Sequence, residues 1–106
     1  MEDTNYVKNK IREHNEISLS RHARKRAEIR GIEPKRVQKV IREGDIIGVK
    51  RNDNPNTDIE YSETYLVLIS SEKDEFFYLP IYFRSSEVLI TTVLKFSDSN
   101  TGLSEW

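Results

Sequence analysis

The chain changes its hydrophobic period at Gly44, and that change limits the folds open to it. Before Gly44, apolar residues recur at helical spacing in short segments separated by turn signals. After it, β-branched and aromatic residues gather into runs of strand length. Helices first and strands after make an α+β fold, with N-terminal helices packed on one face of a four-stranded antiparallel sheet. A length of 106 residues suits a single domain, 1–106, around one core.

In the first half, residues 3–14 (DTNYVKNKIREH) predict a helix with Tyr6, Val7 and Ile11 on its apolar side. Residues 16–19 predict a short extended link, with Ile17 and Leu19 pointing the same way. Ser20 is a suitable N-cap and Gly31 a suitable C′ residue, so SRHARKRAEIRG predicts a second helix. Glu33-Pro34 opens a third, because the missing N–H of Pro34 does no harm at the first helical position. Val37, Val40 and Ile41 give it an apolar side, and Gly44 ends it.

Residues 45–51, 61–70, 76–84 and 87–96 predict the four strands, the last three joined by hairpin-length turns at 71–75 and 85–86. The polar, turn-rich stretch 52–60 predicts a mobile loop. Pro80 removes a ladder donor from the third strand, which predicts an edge position or a bulge there. The folded core is expected over about 17–96, followed by a polar tail, 97–106, with Leu103 and Trp106 as its apolar residues.

The net charge of −1 hides two opposed halves. Residues 1–51 carry 14 Lys and Arg against 8 Asp and Glu, and residues 52–106 carry 3 against 10. Nine of the basic residues fall within Arg21–Arg42, opposed by Glu28 and Glu33. A local positive surface attracts polyanions even on a slightly acidic molecule, although the same charges also suit a solvated hairpin paired with the acidic half. The absence of cysteine removes disulfides and any thiolate nucleophile or ligand. Two histidines, His14 and His22, are too few for a typical zinc site, so no metal and no cofactor is expected. The start Met-Glu-Asp-Thr is unlike a signal peptide, and no apolar run is long enough to span a bilayer. The expected location is cytoplasmic, with no membrane partner.

At about 100° per residue, His22, Arg26 and Arg30 form one stripe at i, i+4, i+8. The stripe lies between Ala23 and Ala27 on one side and Ile29 on the other, with Arg24, Lys25 and Glu28 opposite. It is expected to line a concave surface between the helical hairpin and the sheet. An imidazole beside two guanidiniums is suited to phosphate.

The run ISLSRHARKRAEIRGIEPKRVQKVI, followed by strands ending LITTVLKF, resembles the domain-of-unknown-function family 4258. The matching residues are His22, Ala23, Arg26, Arg30, Gly31, Ile32 and Val37, then Ile90, Thr92 and Val93, and the resemblance covers about 17–96. That family is grouped by fold with RelE-like and other small metal-independent ribonuclease toxins (the barnase–EndoU–colicin–RelE superfamily). By fold analogy the resemblance implies a ribonuclease toxin of a toxin–antitoxin pair, with RNA as substrate and a cognate antitoxin protein as partner, or a degenerate relative of such a toxin. It also implies a histidine in the penultimate strand, near the position that Pro80 holds here.

Metal-free RNA cleavage needs a base for the 2′-OH, an acid for the leaving 5′-oxygen, and cations for the phosphorane. The candidate catalytic set is His22, Arg26, Arg30 and Thr92, with His22 as base and the arginines on phosphate oxygens. Thr92 would bond a phosphate or orient His22; equally, it is an ordinary β-former. Arg84 and Lys95 would extend the basic surface, or are solvated charges at strand ends. Tyr61, Tyr65, Tyr78 and Tyr82 would stack on bases, or pack across strands. The expected function is a metal-independent endoribonuclease leaving a 2′,3′-cyclic phosphate. The alternative is a catalytically inactive RNA- or protein-binding module of the same fold.

Overall fold

A computed structural model describes residues 4–71 and 75–96. The order is α1 (Thr4–Glu13), β1 (Glu16–Leu19), α2 (Arg21–Ile29), α3 (Pro34–Glu43), β2 (Asp45–Arg51), β3 (Glu63–Ser70), β4 (Phe76–Phe83), β5 (Glu87–Ile90) and β6 (Leu94–Phe96). The three helices fall where the apolar spacing puts them. The tail 97–106, including Leu103 and Trp106, lies outside the described residues, as do 72–74 of the turn after β3.

The sheet corrects the expected four-stranded antiparallel meander. It is a six-stranded mixed sheet in the order β1-β5-β4-β3-β2, with β6 also on β4. β1, expected as a link, lies parallel to β5 with Ile17 opposite Val88 and Leu19 opposite Ile90. Its alternation of exposed and buried residues is that of a strand. Side chains from the helical layer then satisfy carbonyls in and beside it. Gln38 Nε2 donates to Ile17 O at 2.7 Å, and Arg42 donates to the carbonyls of His14 and Asn15 at 2.9 and 3.1 Å. An edge strand closed in this way offers fewer groups to foreign chains.

The expected strand 87–96 is two strands, and Pro80 supplies the reason. Pro80 lies opposite Leu66 of β3, while on its other side Thr91 N donates to Pro80 O at 3.3 Å. Within a strand, one residue's N–H and C=O point to the same edge, so the missing donor faces the β5 and β6 side. There the ladder stops at Ile81 opposite Ile90 and resumes at Tyr78 opposite Leu94. Thr91, Thr92 and Val93 fill the break, with Val93 fully buried. Thr92 is therefore not in a strand.

All three helices pack on one face of the sheet. α1 buries Val7 and Ile11, α2 buries Ala23 and Ala27, and α3 buries Val37, Val40 and Ile41. They meet Val67 and Ile69 of β3, alternate residues Phe77 to Phe83 of β4, and Val88 and Ile90 of β5. α2 is closed at both ends as its sequence predicts. Ser20 Oγ accepts from Ala23 N at 3.1 Å. At the other end Gly31 has φ 69°, Gly31 N donates to Glu28 O at 3.0 Å, and Ile32 N donates to Ala27 O at 2.8 Å. These two bonds form a Schellman motif, and buried Ile32 seals it. Gly44 serves differently. Its φ is −75°, and a Cβ there would lie 2.6 Å from Ile69 Cγ2 and 2.7 Å from Val40 O. Glycine is needed at this position for close approach, not for left-handed backbone.

The loop 52–60 is fastened to the sheet. Tyr82, buried in β4, accepts at its hydroxyl from Asn56 N at 2.8 Å and Asn52 Nδ2 at 3.3 Å. Tyr61 meets the Tyr82 ring edge-on, with centroids 5.3 Å apart.

A polar cluster that the sequence reading missed joins α1 to β3. Glu63 accepts from Tyr6 at 2.7 Å and Tyr65 at 2.5 Å, and Lys10 Nζ lies 2.9 Å from its other oxygen. The hydrogen bond from Lys10, then that from Tyr65, hold the Glu63 carboxyl down at about 2. A carboxyl lowered on folding stabilises the fold above its unfolded value near 4.5, and that support is lost as pH falls toward 2. With the two side chains about a fifth and a third exposed, the contribution after solvent screening is about 1–2 kcal/mol. Urea melts between pH 5 and pH 2 are expected to lose that stability in the wild type, and to lose less of it in Glu63→Gln. Equal acid sensitivity in both proteins would refute this role for Glu63.

Candidate nucleic-acid interface

α2 starts where β5 ends. Ser20 N donates to Ile90 O at 2.9 Å and Ser20 Oγ donates to Thr91 O at 3.3 Å. The N-cap is thus pinned on the break that Pro80 causes, and this junction sets the position of His22, two residues on.

His22, Arg26 and Arg30 are all exposed, as are Arg21, Arg24, Lys25, Glu28 and Ile29. This corrects the expectation of a stripe facing the sheet. Within the nine residues of α2, only the two alanines meet the core. Their small side chains let the helix backbone sit close, which leaves no room beside them for imidazole or guanidinium groups. The long side chains splay outward on every other side. Arg24, expected in open solvent, turns back so that Nε donates to Leu19 O at 3.3 Å.

The structure brings two of the four candidate residues together. Arg26 Nε donates to His22 Nε2 at 3.4 Å, the i,i+4 contact that the spacing implies. Arg30 stands one turn further on as the C-cap residue. Thr92 is half-buried in the break between β5 and β6, and among the described residues no hydrogen bond joins it to His22. The cations of α2 are continued by Lys35, Arg36 and Lys39, exposed on α3. Arg21, Lys25, Arg26 and Arg30 have no ion pair among the described residues, so their charge is uncommitted.

Other candidates are committed elsewhere. Lys95 Nζ lies 2.7 Å from Glu75, which also pairs with Arg36, so β6 and α3 share one carboxylate. The hydrogen bond from Lys95 and then that from Arg36 lower the Glu75 carboxyl. Arg84 lies 3.5 Å from Glu87, and Glu87 also accepts from Ser18 Oγ at 2.9 Å. Tyr65 and Tyr82 hold Glu63 and the 52–60 loop. His14 packs on Phe83 with centroids 5.2 Å apart, and its two ring nitrogens face the carbonyls of Lys10 and Arg84. Among the described residues no group of three His, Asp or Glu side chains converges as metal ligands would, and no helix is long and apolar enough to cross a membrane.

The SRHA segment that opens the helical hairpin and the ITTV segment that leads from β5 to β6 are joined in space where Ser20 bonds Ile90 O and Thr91 O. The model of the family described as Domain of unknown function (DUF4258) matches residues 19–95. The chain belongs to that family. No curated protein and no solved structure matches it.

Proposed function

We propose that this protein binds RNA through the outward face of α2 and cleaves it without a metal ion, as the toxin of a toxin–antitoxin pair. The observation that carries the reading is the uncommitted cation array around His22. Arg26 holds the imidazole through a 3.4 Å contact, long enough to be exchanged readily for a phosphate oxygen. RNA would take that guanidinium onto its phosphate, and Nε2 of His22 would be released to accept the 2′-OH proton as the 2′-oxygen bonds to phosphorus. The P–O5′ bond then breaks, and the leaving 5′-oxygen takes a proton from water. Arg30, one turn along, would share the charge of the phosphorane. Helices confined to one face of the sheet are consistent with a RelE-like architecture, and the reading as a toxin rests on that analogy.

Binding is tested by salt titration with a generic RNA. Affinity is expected to fall steeply as salt rises, because each neutralised phosphate releases counterions. Arg26→Ala is expected to weaken binding more than Arg24→Ala, since Arg24 is turned toward Leu19 O. Salt-independent binding, or equal losses in both variants, would refute the interface. Cleavage is tested on the same RNA in the presence of EDTA, with 2′,3′-cyclic phosphate ends as the expected product.

One observation favours a second reading, a binding module without catalysis. Pro80 stands where the resemblance implies a second histidine, and the structure uses it to break the ladder beside Thr91. If controlled expression neither arrests bacterial growth nor degrades RNA while salt-dependent binding persists, the second reading replaces the first.

A further inference from the structure

The two sides of the sheet differ in chemistry, and the described helices cover one of them. Alternation along β3 and β4 sends Leu66, Phe76, Tyr78 and Pro80 away from the helices, level with Leu89 of β5 and Leu94 of β6. Leu94 is 39 % exposed and the others are half-buried. Carboxylates lie on the outer strands and on the loop beside this apolar area. Glu16 and Asp45 lie at outward positions of β1 and β2, while Asp53, Asp58 and Glu60 belong to the loop that Tyr82 fastens. All five are exposed, and none has an ion pair among the described residues. At the outward register positions of β2, Lys50 is the basic residue.

α2 on the opposite side has the complementary character. Ile29 is 70 % exposed, the most exposed large apolar side chain among the described residues. One exposed isoleucine is ordinary. This one lies one helical turn from Lys25 and Arg26 and next to Arg30, all three exposed and without an ion pair.

We propose that these two surfaces recognise each other between copies of this chain. Ile29 of one copy seats against the apolar area around Leu89 and Leu94 of the next, and Lys25, Arg26 and Arg30 meet the carboxylates beside it. Apolar burial supplies the attraction, and the opposite charges fix orientation and exclude the reversed pairing. The two patches lie on opposite sides of one sheet, so the contact is heterologous and a pair leaves one patch free at each end. Copies therefore add head to tail. The association covers α2 and does not depend on the ribonuclease reading.

Light scattering of the purified chain tests this. The wild-type mass is expected to rise with concentration past that of two chains without a plateau, and to fall as salt is raised. Ile29→Asp spoils the helical patch and Leu94→Asp the sheet patch. Each variant alone is expected to run as a single chain with an unchanged far-UV circular dichroism spectrum. Mixed together they are expected to form a species of two chains that grows no further, because each supplies the patch the other lacks. Lys25→Glu, on an exposed residue, provides a second α2 variant with the same expected outcome. A wild type that stays a single chain at every concentration would overturn the proposal. So would an assembly that survives Ile29→Asp but not Leu94→Asp, which would show sheet faces docking on one another.

Discussion

Replacing His22 by alanine is expected to lower RNA cleavage by about 10²–10⁴-fold, the usual loss when a general base is removed. The expected change is in turnover, with RNA affinity nearly preserved, because Arg26 and Arg30 remain to hold phosphate. The side chain is exposed and among the described residues its hydrogen bond is to Arg26, so the fold should be untouched. Unchanged thermal melting beside the lost activity would separate a chemical role from a structural one. Arg26→Lys is expected to fall between wild type and His22→Ala, keeping the charge but losing the planar fork. Full activity in His22→Ala would refute the assignment. The two other candidate bases are already occupied: the Tyr82 hydroxyl accepts from Asn56 and Asn52, and Glu87 holds Ser18 and Arg84.

The helices were legible in the sequence because their signals are local. Ser20, Gly31 and Pro34 act on backbone within a turn or two, and Val37, Val40 and Ile41 mark a buried side by spacing alone. The sheet was legible only where strands follow each other through short turns. β1 is four residues long and pairs with β5, some seventy residues away, and no local period announces such a partner. Pro80 predicts an edge position or a bulge, but β4 lies inside the sheet with an unbroken register to β3, and the consequence appears instead in the pairing beyond it, at Thr91–Val93. The outward orientation of His22, Arg26 and Arg30 was not legible for a related reason. Helical periodicity says which residues share a face, and it does not say how wide a face is buried. Two alanines bury a narrow seam, and His22, Arg26 and Arg30 fall just beyond it. The cluster on Glu63 had no sequence signal, since Tyr6 and Lys10 meet it from more than fifty residues away.

Phe83→Ala is expected to have the largest effect on stability, a loss of about 3–5 kcal/mol. Phe83 is fully buried at the end of β4, where Lys10 of α1 and His14 just after that helix meet its ring. The His14 ring lies 5.2 Å from its centroid, the Tyr65 ring 6.1 Å, and the Lys10 ammonium 5.4 Å. Removing the ring leaves a cavity beneath the segment that also carries the Glu63 cluster, so apolar and polar attachments of α1 weaken together. Against a total stability of about 5–15 kcal/mol for a domain of this kind, the loss is a large fraction. The urea midpoint should drop by roughly 2 M for a denaturant slope near 2 kcal/mol/M. Phe83→Leu refills most of the volume and is expected to cost less than about 1.5 kcal/mol. Phe83 belongs to the attachment of α1, whereas the proposed RNA surface is on α2, so the folded fraction of Phe83→Ala should bind RNA with wild-type salt dependence. A loss no larger than that of Phe83→Leu would refute the docking of α1 on this ring.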